Sequence, residues 1–333
     1  MTEREFGMID MGLTRACNMR CKFCTAVGTH KNKKILSFEE FKCIFEKVEE
    51  LINTKKIIMR SKFFSYGNVG EPLLNPDFVE INEYVRKRGW KTGMYTNGFL
   101  MTRNKMEEIY DKSSIDTINV SITGVSVKVY KEFQGYGFKD VKKILDIVLK
   151  NIEEVIKLRN EKNQHTKIAV NYIITKNNLW HIRKYVRYMK KLGVDEIRFT
   201  PLVDRPRRKK KFFVKCQLLD GIFNLDETAK ISPCNNDLAG NIVIGNLFNN
   251  DWFEQYRELS CNNNCINIDK LPEACQVCDK TNFSSFWDYM SMNFHGYLEM
   301  CNHKIMWRKS FKRYVRDMWQ KIEWYFINRY QQM

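Results

Sequence analysis

No stretch of this 333-residue chain approaches the roughly 18 apolar residues that a membrane-spanning helix needs. The N-terminus, Met1-Thr2-Glu3-Arg4-Glu5-Phe6, mixes acids among its charges and lacks the apolar core of a secretory signal. There is no low-complexity tract, and no internal repeat beyond an alternation of strand-like and helix-like segments. These absences point to a cytoplasmic globular protein. Its length exceeds a typical single domain, so one large domain with a smaller one is expected.

Against this background eleven cysteines are many. Cytosolic thiols stay reduced, so clustered cysteines there point to metal rather than to disulfides. Cys43, within Phe41-Lys42-Cys43-Ile44-Phe45, fits a buried thiol instead. The net charge of +17 is concentrated. Residues 205–215 hold seven cations and no acid, and residues 303–333 hold eight cations against Asp317 and Glu323, so +13 of the +17 lies in two segments. A local excess implies an anionic partner.

Six strand candidates alternate with helices over the first two hundred residues. The strands are Met8–Leu13, Lys62–Tyr66, Lys91–Tyr95, Thr117–Ile122, Lys167–Thr175 and Glu196–Pro201. The helices are Ser37–Asn53, Pro76–Arg88, Arg103–Lys112, Phe138–Asn160 and Asn178–Leu192. Ser37 with Glu40 reads as a capping box, Pro76 as a first-turn proline, and Gly89 and Gly193 as helix ends. Such repeats predict an α/β fold with a parallel sheet, open or curled into a partial barrel. After Pro201 the chain turns rich in Asn, Asp, Gly and Cys, as a small metal-stapled domain would be. The last thirty residues return to helical periodicity, with Trp307, Phe311, Tyr314, Val315, Met318, Trp319, Ile322 and Phe326 on one face and basic residues on the other. That helix either docks on its own barrel or lies on an anionic membrane.

Cys17, Cys21 and Cys24 are spaced C-x3-C-x2-C just after the first strand. Three thiolates can hold three irons of a [4Fe–4S] cluster and leave the fourth open to substrate. Half of a zinc site is the alternative, with His30 as the close candidate partner. The run, including the aromatic Phe23 before the last cysteine, resembles the signature of the radical S-adenosylmethionine (radical SAM) superfamily. Two further segments agree with it: Val69-Gly70-Glu71, resembling the family's Gly-Gly-Glu stretch with Val for the first Gly, and Thr96-Asn97-Gly98 after the third strand.

The resemblance implies a partial (β/α)6 TIM-type barrel over residues 1–204 with the cluster at its C-terminal mouth. Gly70, Glu71, Asn97 and Ser121 would bind S-adenosylmethionine, with Glu71 at its amino group. Gln134 stands where related enzymes carry a carboxylate-binding Arg; a Gln lacks that charged fork, leaving Lys128 or Lys131 to substitute. Cys216, Cys234, Cys275 and Cys278 resemble the ligands of an auxiliary [4Fe–4S] cluster in a twitch or SPASM-like domain over 205–301, with a basic amphipathic helix over 302–333. A four-cysteine zinc site is the alternative. Cys261, Cys265 and Cys301, with His303, leave a second auxiliary cluster open.

The implied chemistry is reductive cleavage of S-adenosylmethionine to a 5′-deoxyadenosyl radical. The implied reaction is oxidation of a sugar or cyclitol alcohol, with an auxiliary cluster accepting the electron. Competing readings are a peptide- or protein-modifying maturase and a non-catalytic zinc-stapled protein that binds nucleic acid. Against peptides, the chain begins almost at the cluster strand. Against nucleic acid, no recognition module is visible. Expected partners are a small-molecule substrate, anionic in one version, or a peptide; an electron donor such as flavodoxin or ferredoxin; and the anionic membrane face. No general base stands out, although Tyr66 and Asp204 lie near strand ends.

Overall fold

The computed structural model describes residues 5–24, 34–67, 69–135, 137–174, 178–201, 212–213, 221–234, 242–249, 252–264, 270–276 and 282–283. Six parallel strands follow one another in chain order: β1 (Met8–Met11), β2 (Phe63–Tyr66), β3 (Lys91–Thr96), β4 (Thr117–Ser121), β5 (Lys167–Ile174) and β6 (Glu196–Pro201). Helices α1 (Phe38–Asn53), α2 (Phe78–Lys87), α3 (Arg103–Lys112), α4 (Val127–Phe133), α5 (Val141–Glu161) and α6 (Ile182–Leu192) connect them. This is the partial (β/α)6 barrel.

A seventh parallel strand, β7 (Ile222–Leu225), pairs with β1 on the side away from β2. It is followed antiparallel by β8 (Lys230–Ser232) and β9 (Gly245–Asn246). Thus residues 217–258 group with 1–202, although their polar composition reads as part of the smaller domain. Hydrogen bonds from Gly7 N to Gly221 O and from Gly12 N to Leu225 O complete an edge of β1 that would otherwise be unpaired. The second unit comprises 203–216 and 259–333. Its described parts include an antiparallel pair, Phe212–Phe213 with Asn282–Phe283, and a short helix, Glu273–Gln276.

Side chains alternate across the sheet. Phe64 and Tyr66 of β2 face the helices, within ring-packing distance of Phe41, Phe45, Phe78 and Trp90, with Phe64–Phe41 centroids 5.7 Å and Tyr66–Phe78 centroids 5.1 Å apart. This aromatic layer is the core between sheet and helices, and a Phe→Ala change in it costs about 3–5 kcal/mol. Ser65, between those two aromatics, therefore faces the barrel interior.

The Ser37–Glu40 capping box is formed, and Gly89 and Gly193 take the left-handed conformation (φ +78° and +87°) that ends a helix. Three readings need correction. Pro76 is not in a first helical turn. Asn75 Oδ1 accepts the Asp77 amide at 2.9 Å, and this turn delays α2 to Phe78. Helix α5 starts at Val141, because the Asp140 side chain accepts Lys143 N at 2.9 Å. Cys43 is exposed, because the buried stripe of α1 is Phe41, Ile44, Phe45, Val48 and Leu51. The basic run 205–215, apart from the strand at 212–213, and all of 302–333 lie outside the described residues.

Candidate active site

The loop after β1 carries Cys17, Cys21 and Cys24, all half-buried. Backbone contacts fix it from three sides. Thr14 bridges Ile35 and donates its hydroxyl to Lys34 O at 2.8 Å. The Glu71 amide donates to Ala16 O at 2.9 Å, and the Lys22 amide to Phe133 O at 2.8 Å. Met19 is buried beneath the loop.

The three thiols stand near enough to raise one another's pKa. Burial lifts Cys17 to about 11, with Glu71 and Cys24 adding to the rise. Burial, then Cys24 and Cys17, lifts Cys21 further. Thiolates are thus costly here without a cation. Among the described residues no three His, Cys, Asp or Glu side chains converge as ligands of a single ion. A cubane takes each thiolate on a different iron, so three soft donors on one eight-residue loop fit it.

Gly70 and Glu71 sit directly behind this loop. Gly70 has φ +77°, and a Cβ there would collide with Thr14 O and lie 2.7 Å from Ala16 O, so the turn admits only glycine. Val69, which stands for the first Gly of the resembled motif, is buried against Gly12. The Glu71 carboxyl is 1% exposed. It accepts Thr96 Oγ1 at 2.7 Å, Asn97 N at 2.8 Å and Leu73 N at 3.3 Å. Burial still dominates, pushing Glu71 up to about 7, and no basic side chain among the described residues offsets its charge. A buried carboxylate beside the cysteine loop without a counter-cation fits the ammonium of an amino acid.

Asn97 closes the same side of the loop. Its Nδ2 donates to Asn18 Oδ1 at 2.7 Å and lies 3.9 Å from Cys17 Sγ. Asn97 Oδ1 accepts Phe99 N, and Gly98 turns with φ +80°. Thr96 and Asn18, which the sequence reading passed over, tie these pieces together. Both lie in segments already singled out, but nothing in a local pattern says which neighbour donates to Glu71.

Ser121 ends β4, half-buried. Gln134, 1% exposed, braces the turn beyond it. Its Oε1 accepts Thr123 N at 2.7 Å and Thr123 Oγ1 at 3.0 Å, and its Nε2 donates to Ser121 O at 2.6 Å. Gln134 is therefore spent on the loop, while Lys128 and Lys131 are exposed on α4. Tyr66 is sealed in the aromatic layer, its ionisation suppressed by burial. Asp204 lies outside the described residues.

The inner barrel face is polar toward β6. Arg198 Nη1 donates to Asn119 Oδ1 at 2.5 Å and Nε to Glu196 at 2.8 Å, and Thr200 Oγ1 donates to Asn171 Oδ1 at 2.9 Å.

Of the second cysteine set, Cys234 and Cys275 lie among the described residues. Cys234 is half-buried after β8, in the barrel unit, and Cys275 is half-buried in the short helix of the second unit, its amide donating to Pro272 O at 2.8 Å. Cys216 and Cys278 lie outside the described residues, as do Cys265, Cys301 and His303. Cys261 is exposed on α7 (Trp252–Asn264). No helix among the described residues is long and apolar enough to cross a membrane.

Comparison with known proteins agrees with this geometry. The family model "Radical SAM superfamily" matches residues 11–160. The tungsten-containing aldehyde ferredoxin oxidoreductase cofactor-modifying protein of Pyrococcus furiosus is 26% identical over 193 residues, 57% of this chain and 50% of the relative. A probable GTP 3',8-cyclase of Sulfolobus acidocaldarius is 25% identical over 251 residues, 72% of each chain. The matched region thus spans about half the length of the first of these relatives.

Among solved structures, anSMEcpe with bound AdoMet shares 15% identity at TM-score 0.60, covering 94% of this chain and 98% of that one. BtrN in complex with AdoMet and 2-DOIA shares 15% at TM-score 0.50, covering 85% and 98%. Streptococcus suis SuiB bound to precursor peptide SuiA shares 16% at TM-score 0.55, covering 82% and 71%. At such identities the likeness is one of fold.

Proposed function

We propose that this chain, whose residues 11–160 match the radical SAM superfamily model, holds a [4Fe–4S] cluster on Cys17, Cys21 and Cys24, uses it with S-adenosylmethionine, and oxidises a sugar or cyclitol alcohol. When bound, the cluster supplies the electron that splits S-adenosylmethionine and so generates the 5′-deoxyadenosyl radical that takes hydrogen from the substrate. Every other part falls to this chain's residues. Gly70 lets the turn approach the cysteine loop, Glu71 receives the cofactor's ammonium, Asn97 orients the loop through Asn18, and Ser121 borders the cofactor. The strands exclude water from the reacting centre and hold the substrate at the barrel mouth.

The observation that carries the reading is Glu71. It is buried, short of a cation, bonded to Thr96 and Asn97 on β3 and its turn, and one residue from the glycine that packs on the cysteine loop. The choice of alcohol oxidation draws support from the auxiliary cysteines, since a second [4Fe–4S] cluster held by Cys216, Cys234, Cys275 and Cys278 would accept the electron left on the substrate. BtrN, solved in complex with AdoMet and 2-DOIA, shares this fold.

An external donor such as flavodoxin or ferredoxin would reduce the first cluster, and the basic segments at 205–215 and 302–333 would meet an anionic substrate or membrane face. Anaerobic reconstitution tests the oxidation. About eight irons per chain, four per cubane, and one carbonyl formed per 5′-deoxyadenosine are expected from an alcohol. About four irons with one zinc would remove the electron acceptor. Turnover of a peptide and not of sugars or cyclitols would move the reaction to the maturase class.

A further inference from the structure

Ser65 and two partners form a row that the reaction described above does not use. Asn224 of β7 pairs with Asp10 of β1, and Asp10 pairs with Ser65 of β2. Residues opposed across neighbouring strands share a face and stand about 5 Å apart. That face is the interior. Phe64 and Tyr66 flank Ser65 and pack on the helices, and Phe223, beside Asn224, packs its ring on Phe6 and Trp252 at 5.2 and 5.6 Å.

All three side chains are buried: Asp10 is 4% exposed, Ser65 1% and Asn224 0%. Asp10 Oδ1, Ser65 Oγ and Asn224 Oδ1 each lack a well-formed hydrogen bond among the described residues. Asn224 Nδ2 is turned away to Ile222 O at 3.3 Å, which leaves its carbonyl oxygen toward the row. Buried polar atoms are almost always satisfied, so three adjacent exceptions call for a partner.

The row's chemistry is that of an acceptor. A carboxylate and an amide oxygen only accept, and the serine hydroxyl can do so. Burial pushes Asp10 up to about 6, with the Ser65 hydroxyl acting in the opposite direction, so the carboxylate is largely ionised at neutral pH. Arg198, on the inner face of β6, is engaged with Glu196 and Asn119 and lies beside Tyr95. A donor-only cation with three hydrogens, a primary ammonium, would match three acceptors and one unbalanced charge.

We propose that Asp10, Ser65 and Asn224 are a recognition row for the protonated primary amine of a small polar substrate, so that the barrel selects an amino-bearing sugar or cyclitol. The proposal rests on the substrate entering the barrel of the radical enzyme described above, and it names the class of that substrate. An anionic nucleotide phosphate would be repelled by the same carboxylate.

Two measurements on the reconstituted holoenzyme with S-adenosylmethionine separate the claims. In the first, melting at pH 7 is followed with glucosamine, its neutral counterpart N-acetylglucosamine, and methylammonium. Glucosamine and methylammonium should raise the melting temperature by about 2 °C or more at several times Kd, N-acetylglucosamine should not, and the rise should vanish in Asp10→Asn. Ser65→Ala, which keeps the charge, should weaken the rise without abolishing it.

Asp10→Asn, relieved of a buried unbalanced charge, should itself melt no lower than the parent. Equal shifts with glucosamine and N-acetylglucosamine, equal amine shifts in parent and Asp10→Asn, or no amine shift in the parent would each overturn the proposal. If Asp10→Asn does not fold, an amine shift in Ser65→Ala as large as in the parent overturns it. The second measurement, 5′-deoxyadenosine formation by the parent, tests the radical reaction alone; its failure sinks that reading while leaving the amine shifts to be judged separately.

Discussion

Arg15 Nε donates to Glu227 Oε1 at 2.7 Å, across 212 residues of chain. Arg15 Nη2 also reaches Asp226 Oδ2 at 2.9 Å. The arginine stands two residues before Cys17, and the acids follow the seventh strand, so one fork locks the cysteine loop to β7. Burial works against the arginine's charge, but Glu227 and Asp226 outweigh it, while burial still pushes the Glu227 carboxyl up. Such a pair adds little net stability, yet losing one partner is expensive. Arg15→Ala should cost about 3 kcal/mol and lower the iron retained on reconstitution. Melting and iron content check this; an unchanged melting temperature would mean that the acids find another partner.

Gly70→Ala isolates the turn behind the loop. The new Cβ meets two carbonyl oxygens at a φ of +77°, and neither backbone can move without shifting Ala16 and the cysteines beyond it. The loss should exceed about 1 kcal/mol, the scale of an alanine placed at positive φ, and cluster incorporation should fall. Gly89→Ala makes the control: it too is left-handed, but nothing lies within 4 Å of its Cβ position. That variant should lose stability and keep its iron.

Glu71 gives the site a pH dependence. Its folded pKa, about 7 through burial, lies above the ordinary value of 4.5. The folded protein therefore holds a proton that the unfolded chain has released, and stability falls as pH rises through about 7. The span corresponds to about 3 kcal/mol between pH 4.5 and neutrality. Glu71→Gln should remove that slope from a series of melts before cofactor is added. The proposed role of Glu71 at the ammonium of S-adenosylmethionine calls for the ionised carboxylate, so affinity should weaken as pH drops below about 7 in the parent and not in the variant. Equilibrium dialysis at pH 6 and pH 8 measures it.

Gln134→Arg tests whether a cation at this position would reach the carboxylate of the cofactor. The amide satisfies Thr123 N and Ser121 O inside the protein. Removing a buried partner costs about 1–3 kcal/mol, and an arginine there would bury a charge besides. The variant should melt lower and bind S-adenosylmethionine no better. Tighter binding would show that the carboxylate of the cofactor lies within reach of position 134.

Much of this arrangement was readable in the sequence, for physical reasons. Arg103–Lys112 and Glu196–Pro201 begin and end where their patterns do, because a capping threonine, Thr102, starts the helix and long apolar alternation marks the strand. Strand β7 was hidden. Four residues, Ile222-Phe223-Asn224-Leu225, are too few to show a period, and their partner, β1, is over two hundred positions away. Asp10 was hidden for another reason. In Met8-Ile9-Asp10-Met11 a lone acid reads as the solvent side of a strand, whereas in a barrel that side is the interior. The three cysteines were legible because one loop carries them. Of the auxiliary set, Cys234 and Cys275 belong to different units, and Cys216 and Cys278 lie outside the described residues.

The central claim is that the loop after β1 holds the cluster that cleaves S-adenosylmethionine. The most direct measurement is 5′-deoxyadenosine formed by the anaerobically reconstituted, reduced protein, compared with a variant carrying Cys17→Ala, Cys21→Ala and Cys24→Ala. The parent should release 5′-deoxyadenosine and methionine. The variant should fold, retain the iron of any auxiliary cluster, and release none. Undiminished 5′-deoxyadenosine from the triple variant would contradict the assignment.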